Sequence, residues 1–98
     1  MNITHEEGDK LTITGEMKTI ENYTAIKNAL NEVIQQGSES VTIEIKDSLT
    51  ITSSIIGLFT KTVHGDGLKI NLLIHSERLY NLLEDLNLIV VFNVKKAK

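Results

Sequence analysis

Val41-Thr42-Ile43-Glu44-Ile45, Ser53 to His64, and Leu68 to His75 together decide the fold. The first stretch alternates apolar and polar residues with period two, as a half-buried strand does. The second places Ile55, Ile56, Phe59 and Val63 at helical spacing behind three hydroxyl residues, Thr52-Ser53-Ser54. Such hydroxyls favour a helix N-cap, because their oxygens accept the orphan N–H groups of the first turn. Gly65-Asp66-Gly67 ends that helix. The third stretch carries Ile70, Leu72, Leu73 and Ile74, an apolar-rich run suited to an interior strand. Strand, helix and strand in this order form a crossover unit, whose hand is right and whose strands are parallel.

The pattern extends in both directions. Upstream, Ile20 to Gln36 is helical, with Tyr23, Ile26, Leu30, Val33 and Ile34 as one apolar stripe and Gly37 as its C′ residue. Leu11-Thr12-Ile13-Thr14-Gly15 reads as a strand, and residues 2–5 as a short strand joined to it through a Gly8-Asp9 turn. Downstream, Ser76 caps a helix over Glu77 to Leu86, with Leu79, Leu82, Leu83 and Leu86 on one side. Residues 88–94 form a last apolar, β-branched run that reads as a strand. The expected order is β-β-α-β-α-β-α-β. That is an α/β, four- to five-stranded mixed sheet with helices mainly on one face and an antiparallel opening hairpin.

Length and composition limit what such a chain does. Its 98 residues make one domain, since domains usually run about 100–150 residues. A chain without Cys has no disulfide, cysteine–zinc site or thiol nucleophile. Without Trp, and with aromatics at 4%, it lacks stacking platforms for single-stranded nucleic acid. The net charge of −3 argues against nucleic acid as a partner. The tail Lys95-Lys96-Ala97-Lys98 reads as a frayed, solvated end; without its lysines, 7 of the 10 basic residues remain against 13 acidic ones. The N-terminus is polar and acidic, unlike a signal peptide, and no apolar run approaches the roughly 18 residues of a membrane span. The expected location is the cytoplasm, without membrane insertion.

Catalytic constellations are not found. His5, His64 and His75 are scattered and form no i,i+4 pair, so no metal site is expected. Nucleophile-elbow and phosphate-loop glycine patterns do not occur. The neighbours Glu84-Asp85 and Glu6-Glu7 do not read as acid–base pairs; on a helix, side chains at i and i+1 do not face each other. No cofactor is expected and the chain is not read as an enzyme. A nucleotide near the start of the Thr52–Ser54 helix is the one small-ligand option left.

The hydroxyl cluster has two readings. In one, a single residue caps the helix and the others are spectators. In the other, it is a phosphorylation site, because free N–H groups and the helix dipole stabilise added negative charge. A phosphate there puts about two negative charges on a small patch and reverses a binding equilibrium without moving the backbone. Leu58 lies outside the stripe of Ile55, Ile56, Phe59 and Val63, so it is either a surface contact or part of a wider buried stripe.

The chain resembles the STAS domains, and among them the single-domain anti-sigma-factor antagonists of bacterial partner switching. Four segments carry the resemblance. Leu11-Thr12-Ile13-Thr14-Gly15-Glu16 is similar to the opening L-x-G-E/D-L-D. Val41 to Asp47 is similar to the strand before the switch loop, and Ile51-Thr52-Ser53-Ser54-Ile55-Ile56-Gly57 falls on the apolar residue and D-S-S/A/T-G-L-G. Leu79 to Leu88 is similar to V-x-x-L-L-E-x-x-G-L, with Phe92-Asn93-Val94 as the final F-x-V. Thr52 replaces the motif's Asp, Ile55 replaces its Gly, and Lys18 replaces the Asp after the opening Glu.

The resemblance implies a non-enzymatic protein-interaction switch. Ser53 falls on the phosphorylated hydroxyl, with Thr52 and Ser54 as alternatives. Glu16, Thr52, Ser53, Ser54, Ile55, Ile56 and Leu58 are the expected partner-contact residues. The implied partners are a kinase-type anti-sigma factor and a PPM-type phosphatase, and the expected state is a monomer or weak dimer. The alternative implied by the wider family is a constitutive, unphosphorylated adaptor subunit of a transporter or signalling complex.

Overall fold

The structure, a computed structural model, describes residues 1–97. Its elements are β1 (Asn2–Glu6), β2 (Lys10–Thr14), α1 (Ile20–Gln35), β3 (Ser40–Ile45), α2 (Ser53–His64), β4 (Lys69–Ile74), α3 (Glu77–Asp85) and β5 (Lys95–Lys96). They form one five-stranded mixed sheet in the order β1-β2-β3-β4-β5. β1 and β2 are the antiparallel hairpin, and β2 through β5 are parallel. Each crossover therefore steps the same way across the sheet. Right-handed crossovers stepping in one direction place all three helices on one face.

Burial follows from that placement. Val41, Ile43 and Ile45 on β3, and Ile70, Leu72 and Ile74 on β4, point to the helices and are buried. The residues between them face the other way and are only half-buried. Ile26, Leu30 and Val33 of α1, Ile55, Leu58 and Phe59 of α2, and Leu79 and Leu83 of α3 close the core. Burying each such side chain contributes about 1.5–3 kcal/mol over leaving it exposed. Thr62, the polar exception inside α2, donates its hydroxyl proton to the Leu58 carbonyl at 2.8 Å and so enters the core satisfied.

The helix limits agree with the hydroxyl and glycine signals. Thr19, Thr52 and Ser76 cap the three helices, each accepting a backbone N–H three residues on. Gly37 ends α1 at φ 81°, the left-handed region that a side chain makes costly.

The C-terminal segment differs from the sequence reading. Residues 88–94 are turns, not a strand: Phe92 N–H donates to the Leu88 carbonyl at 3.1 Å and Val94 N–H to the Ile89 carbonyl at 2.9 Å. Asn93, at φ 50°, reverses the chain there. Phe92 and Val94 enter the core from this segment, whereas Val90 is exposed. Phe92 is fully buried with its ring edge-on to Phe59, centroids 5.8 Å apart and planes at 83°. The strand comes later, in the lysines expected to fray. Lys95 and Lys96 pair with Leu73 and Ile74 of β4, and Lys96 Nζ lies 3.3 Å from Glu77 Oε1 and 4.8 Å from the centre of the Tyr80 ring. Lys98, the last residue of that tail, lies outside the described residues.

The face without helices carries a polar network. Lys10 Nζ is 2.9 Å from Glu44 Oε1, and the other Glu44 oxygen meets His75 Nε2. The Thr12 hydroxyl donates to Glu6 at 3.3 Å. His75 and then Lys10 hold the Glu44 carboxyl down from 4.5 to about 2. Among the described residues, no helix is long and apolar enough to cross a membrane.

Candidate functional site

The start of α2 is held by two loops bonded to each other. The first joins β2 to α1 and the second joins β3 to α2. Gly15 N–H donates to Asp47 Oδ2 at 2.9 Å, and Met17 N–H to Ser48 Oγ at 3.1 Å. The Leu49 N–H reaches both oxygens of Glu16 at 3.2 Å. Ser48, almost fully buried, lies 2.8 Å from the Thr50 carbonyl and 3.2 Å from Glu16. A hydroxyl has one proton, and the shorter contact assigns it to Thr50. Gly15 is needed at its position: its φ is 83°, and a Cβ would come within 3.0 Å of the Met1 backbone.

This stitching brings two capped helix starts together. Thr19 accepts from Asn22 N–H at 3.1 Å, while the Asn22 side chain accepts from the N–H groups of Lys18 and Thr19 at 2.9 and 3.0 Å. Across from them, Thr52 accepts from Ile55 N–H at 3.2 Å. Between the two lies an open cavity of about 410 Å³ lined by Lys18, Thr19, Ile20, Tyr23, Thr52, Ser54 and Gly57. Lys18 brings the only formal charge to that lining. Helix starts also carry partial positive charge. Glu21, in the first turn of α1, offsets part of that charge.

The expected contact residues separate into three groups. Thr52 is committed to the cap, which leaves Ser53 and Ser54 exposed on the first turn of α2. Ser54 lines the cavity; Ser53 sits about 100° round the helix from it. Ile55 is fully buried and Leu58 is 8% exposed, so both belong to the core and neither is offered at the surface. For Leu58, the wider buried stripe is the reading that holds. Ile56 is half-buried, near the edge of that stripe. Glu16 is also not a free surface carboxylate, because its oxygens hold the Leu49 N–H and the loop before α2.

The cavity adds residues that the sequence reading had not connected to the hydroxyls. Ile20, the first residue of α1, is 82% exposed beside the cavity, and Lys18 and Tyr23 join it there. The pattern Thr19-x-x-Asn22 was the available signal, since it marks a capped start that brings Lys18 and Ile20 to a helix end. Among the described residues, no group of three or more His, Asp or Glu is placed to hold a metal ion. No model of a known protein family matches the chain, and no curated protein matches it.

Proposed function

We propose that the chain is a phosphorylation-controlled protein-interaction switch of the STAS anti-sigma-antagonist type, with Ser53 as the acceptor and a kinase-type anti-sigma factor as the partner. The observation that carries this reading is the division of labour at the start of α2. Thr52 makes the capping bond, and Ser53 beside it is exposed on a backbone that two loops hold in place. A kinase reaches that hydroxyl without unwinding the helix. The phosphate it leaves lies by the N–H groups at the helix start.

Two departures from the family motif are compatible with this role. A Thr in place of Asp retains a side-chain oxygen for the cap. The Ile55 branch turns into the core and leaves the partner-facing side clear. Partner contact then falls to Ile56, Gly57 and the exposed Ile20, with Ser53 in reach of the same partner surface.

The experiment has two stages. Intact-mass measurement of the protein from cells should show a fraction carrying one phosphate, mapped by fragmentation to Ser53 and absent from Ser53→Ala. A purified kinase-type anti-sigma factor should then bind Ser53→Ala and reject Ser53→Asp. Equal binding of the two variants ends the switch reading. A chain without phosphate in a constant, stoichiometric complex supports the adaptor reading instead.

A further inference from the structure

The two edges of the sheet are protected unequally. β5 is two residues long and both are lysines, two of the devices that stop a sheet edge from pairing further. β1 has neither. It runs five residues, Asn2-Ile3-Thr4-His5-Glu6, with no Pro, no Lys and an unbroken register against β2. Its outer backbone groups can be identified from the bonds on the far side of β2. The carbonyls of Asp9 and Ile13 accept from Thr42 of β3 and from Lys46 just beyond it, both at 3.0 Å, so the odd positions along β2 face β3. The even positions therefore face β1, where Lys10, Thr12 and Thr14 pair with Glu6, Thr4 and Asn2. That leaves the N–H and C=O of Ile3 and His5 directed off the edge of the sheet.

We infer that this edge pairs with a second copy of the chain, β1 antiparallel to β1 about a two-fold axis at Thr4. That is the register that uses all five residues. It sets Ile3 against His5 of the second copy, giving two backbone hydrogen bonds there and two at the symmetry-related pair. Glu6 meets Asn2 rather than another carboxylate, and Thr4 meets Thr4 on the face without helices.

The helix side of the edge also fits. A groove of about 330 Å³ runs between β1 and α1, lined among others by Ile3, His5, Ala25, Asn28, Ala29 and Glu32. Ala25 and Ala29, one helical turn apart, leave room above the strand. In this register the incoming His5 falls opposite Ile3, on the side of the edge that Glu32 lines, where its ring N–H has a carboxylate acceptor within the same groove. A seam of five residues a side is below the roughly 1,200 Å² of a standard interface, so the dimer exchanges with monomer.

Sedimentation equilibrium of the full chain over a concentration series tests this. The mass should climb from 10.9 kDa toward twice that value. His5→Pro removes an outward N–H that β2 does not use, and so should fold as the wild type does while remaining at 10.9 kDa. Thr4→Lys puts two lysines face to face on the axis and gives a second, independent route to the monomer. A wild-type chain that remains monomeric throughout overturns the inference, as do dimers that survive both substitutions. Neither variant touches Ser53, so this result and that of the switch experiment are separable.

Discussion

At the scale of single residues, the site depends on side chains that hold backbone rather than on side chains that meet a partner. Ser48 is the central case. It is almost fully buried, accepts the Met17 N–H and lies against the Thr50 carbonyl. Ser48→Ala strands the buried Met17 N–H and frees the half-buried Thr50 carbonyl, and a buried unsatisfied group costs about 1–3 kcal/mol. We expect a loss of about 2 kcal/mol in denaturant unfolding, with the m-value unchanged. A loss below about 0.5 kcal/mol, the ordinary scatter for surface substitutions, contradicts that role. Sequence pattern could not show this. The contacts joining Gly15 to Asp47, Met17 to Ser48 and Glu16 to Leu49 span 31 to 33 positions, and only the parallel pairing of β2 with β3 brings them together. Glu16 could be singled out through the family resemblance, but its work as a loop clamp became visible only with the structure.

At the scale of elements, periodicity succeeded where one face of a segment is buried and failed where a segment is buried without regular structure. The α2 limits read from Thr52 and Gly65 are those observed, because capping chemistry is local. Residues 88–94 differ from the expected strand because β-branched apolar residues serve a partly buried turn as well; the bonds from Phe92 N–H to Leu88 and from Val94 N–H to Ile89 make the turn, and Phe92 meets Phe59. Gly57 makes an element-scale prediction. It lies inside α2, and a Cβ there meets nothing within 4 Å. Gly57→Ala should therefore stabilise the fold by about 0.5–1 kcal/mol through helix propensity. Thermal unfolding checks this, and a lowered Tm would show that the cavity wall is tighter than the geometry indicates.

At the scale of the whole molecule, the network on the face without helices links the hairpin to the end of β4 through Lys10, Glu44 and His75. The Glu44 carboxyl titrates near 2 in the folded chain and near 4.5 when unperturbed. A depressed carboxyl contributes stability that is complete above its unfolded value and is lost as pH falls through its folded value. The stability gap between wild type and Glu44→Gln should thus close steadily as pH falls from about 5 toward 2. Urea titrations at several pH values measure it, and a gap that does not change with pH would remove Glu44 from the account of acid stability.

The strands also lie across the sheet in the order in which they occur along the chain. As the chain leaves the ribosome N-terminus first, each strand–helix unit meets an edge that the preceding unit has just completed. No later strand has to be inserted between two that are already paired. Assembly can proceed by accretion, with the β1–β2 hairpin as the local seed. Phe92, which follows β4 and α3 along the chain, supplies the wall beside Phe59. Without that ring, Phe59 in the middle of α2 would face an open side of the core.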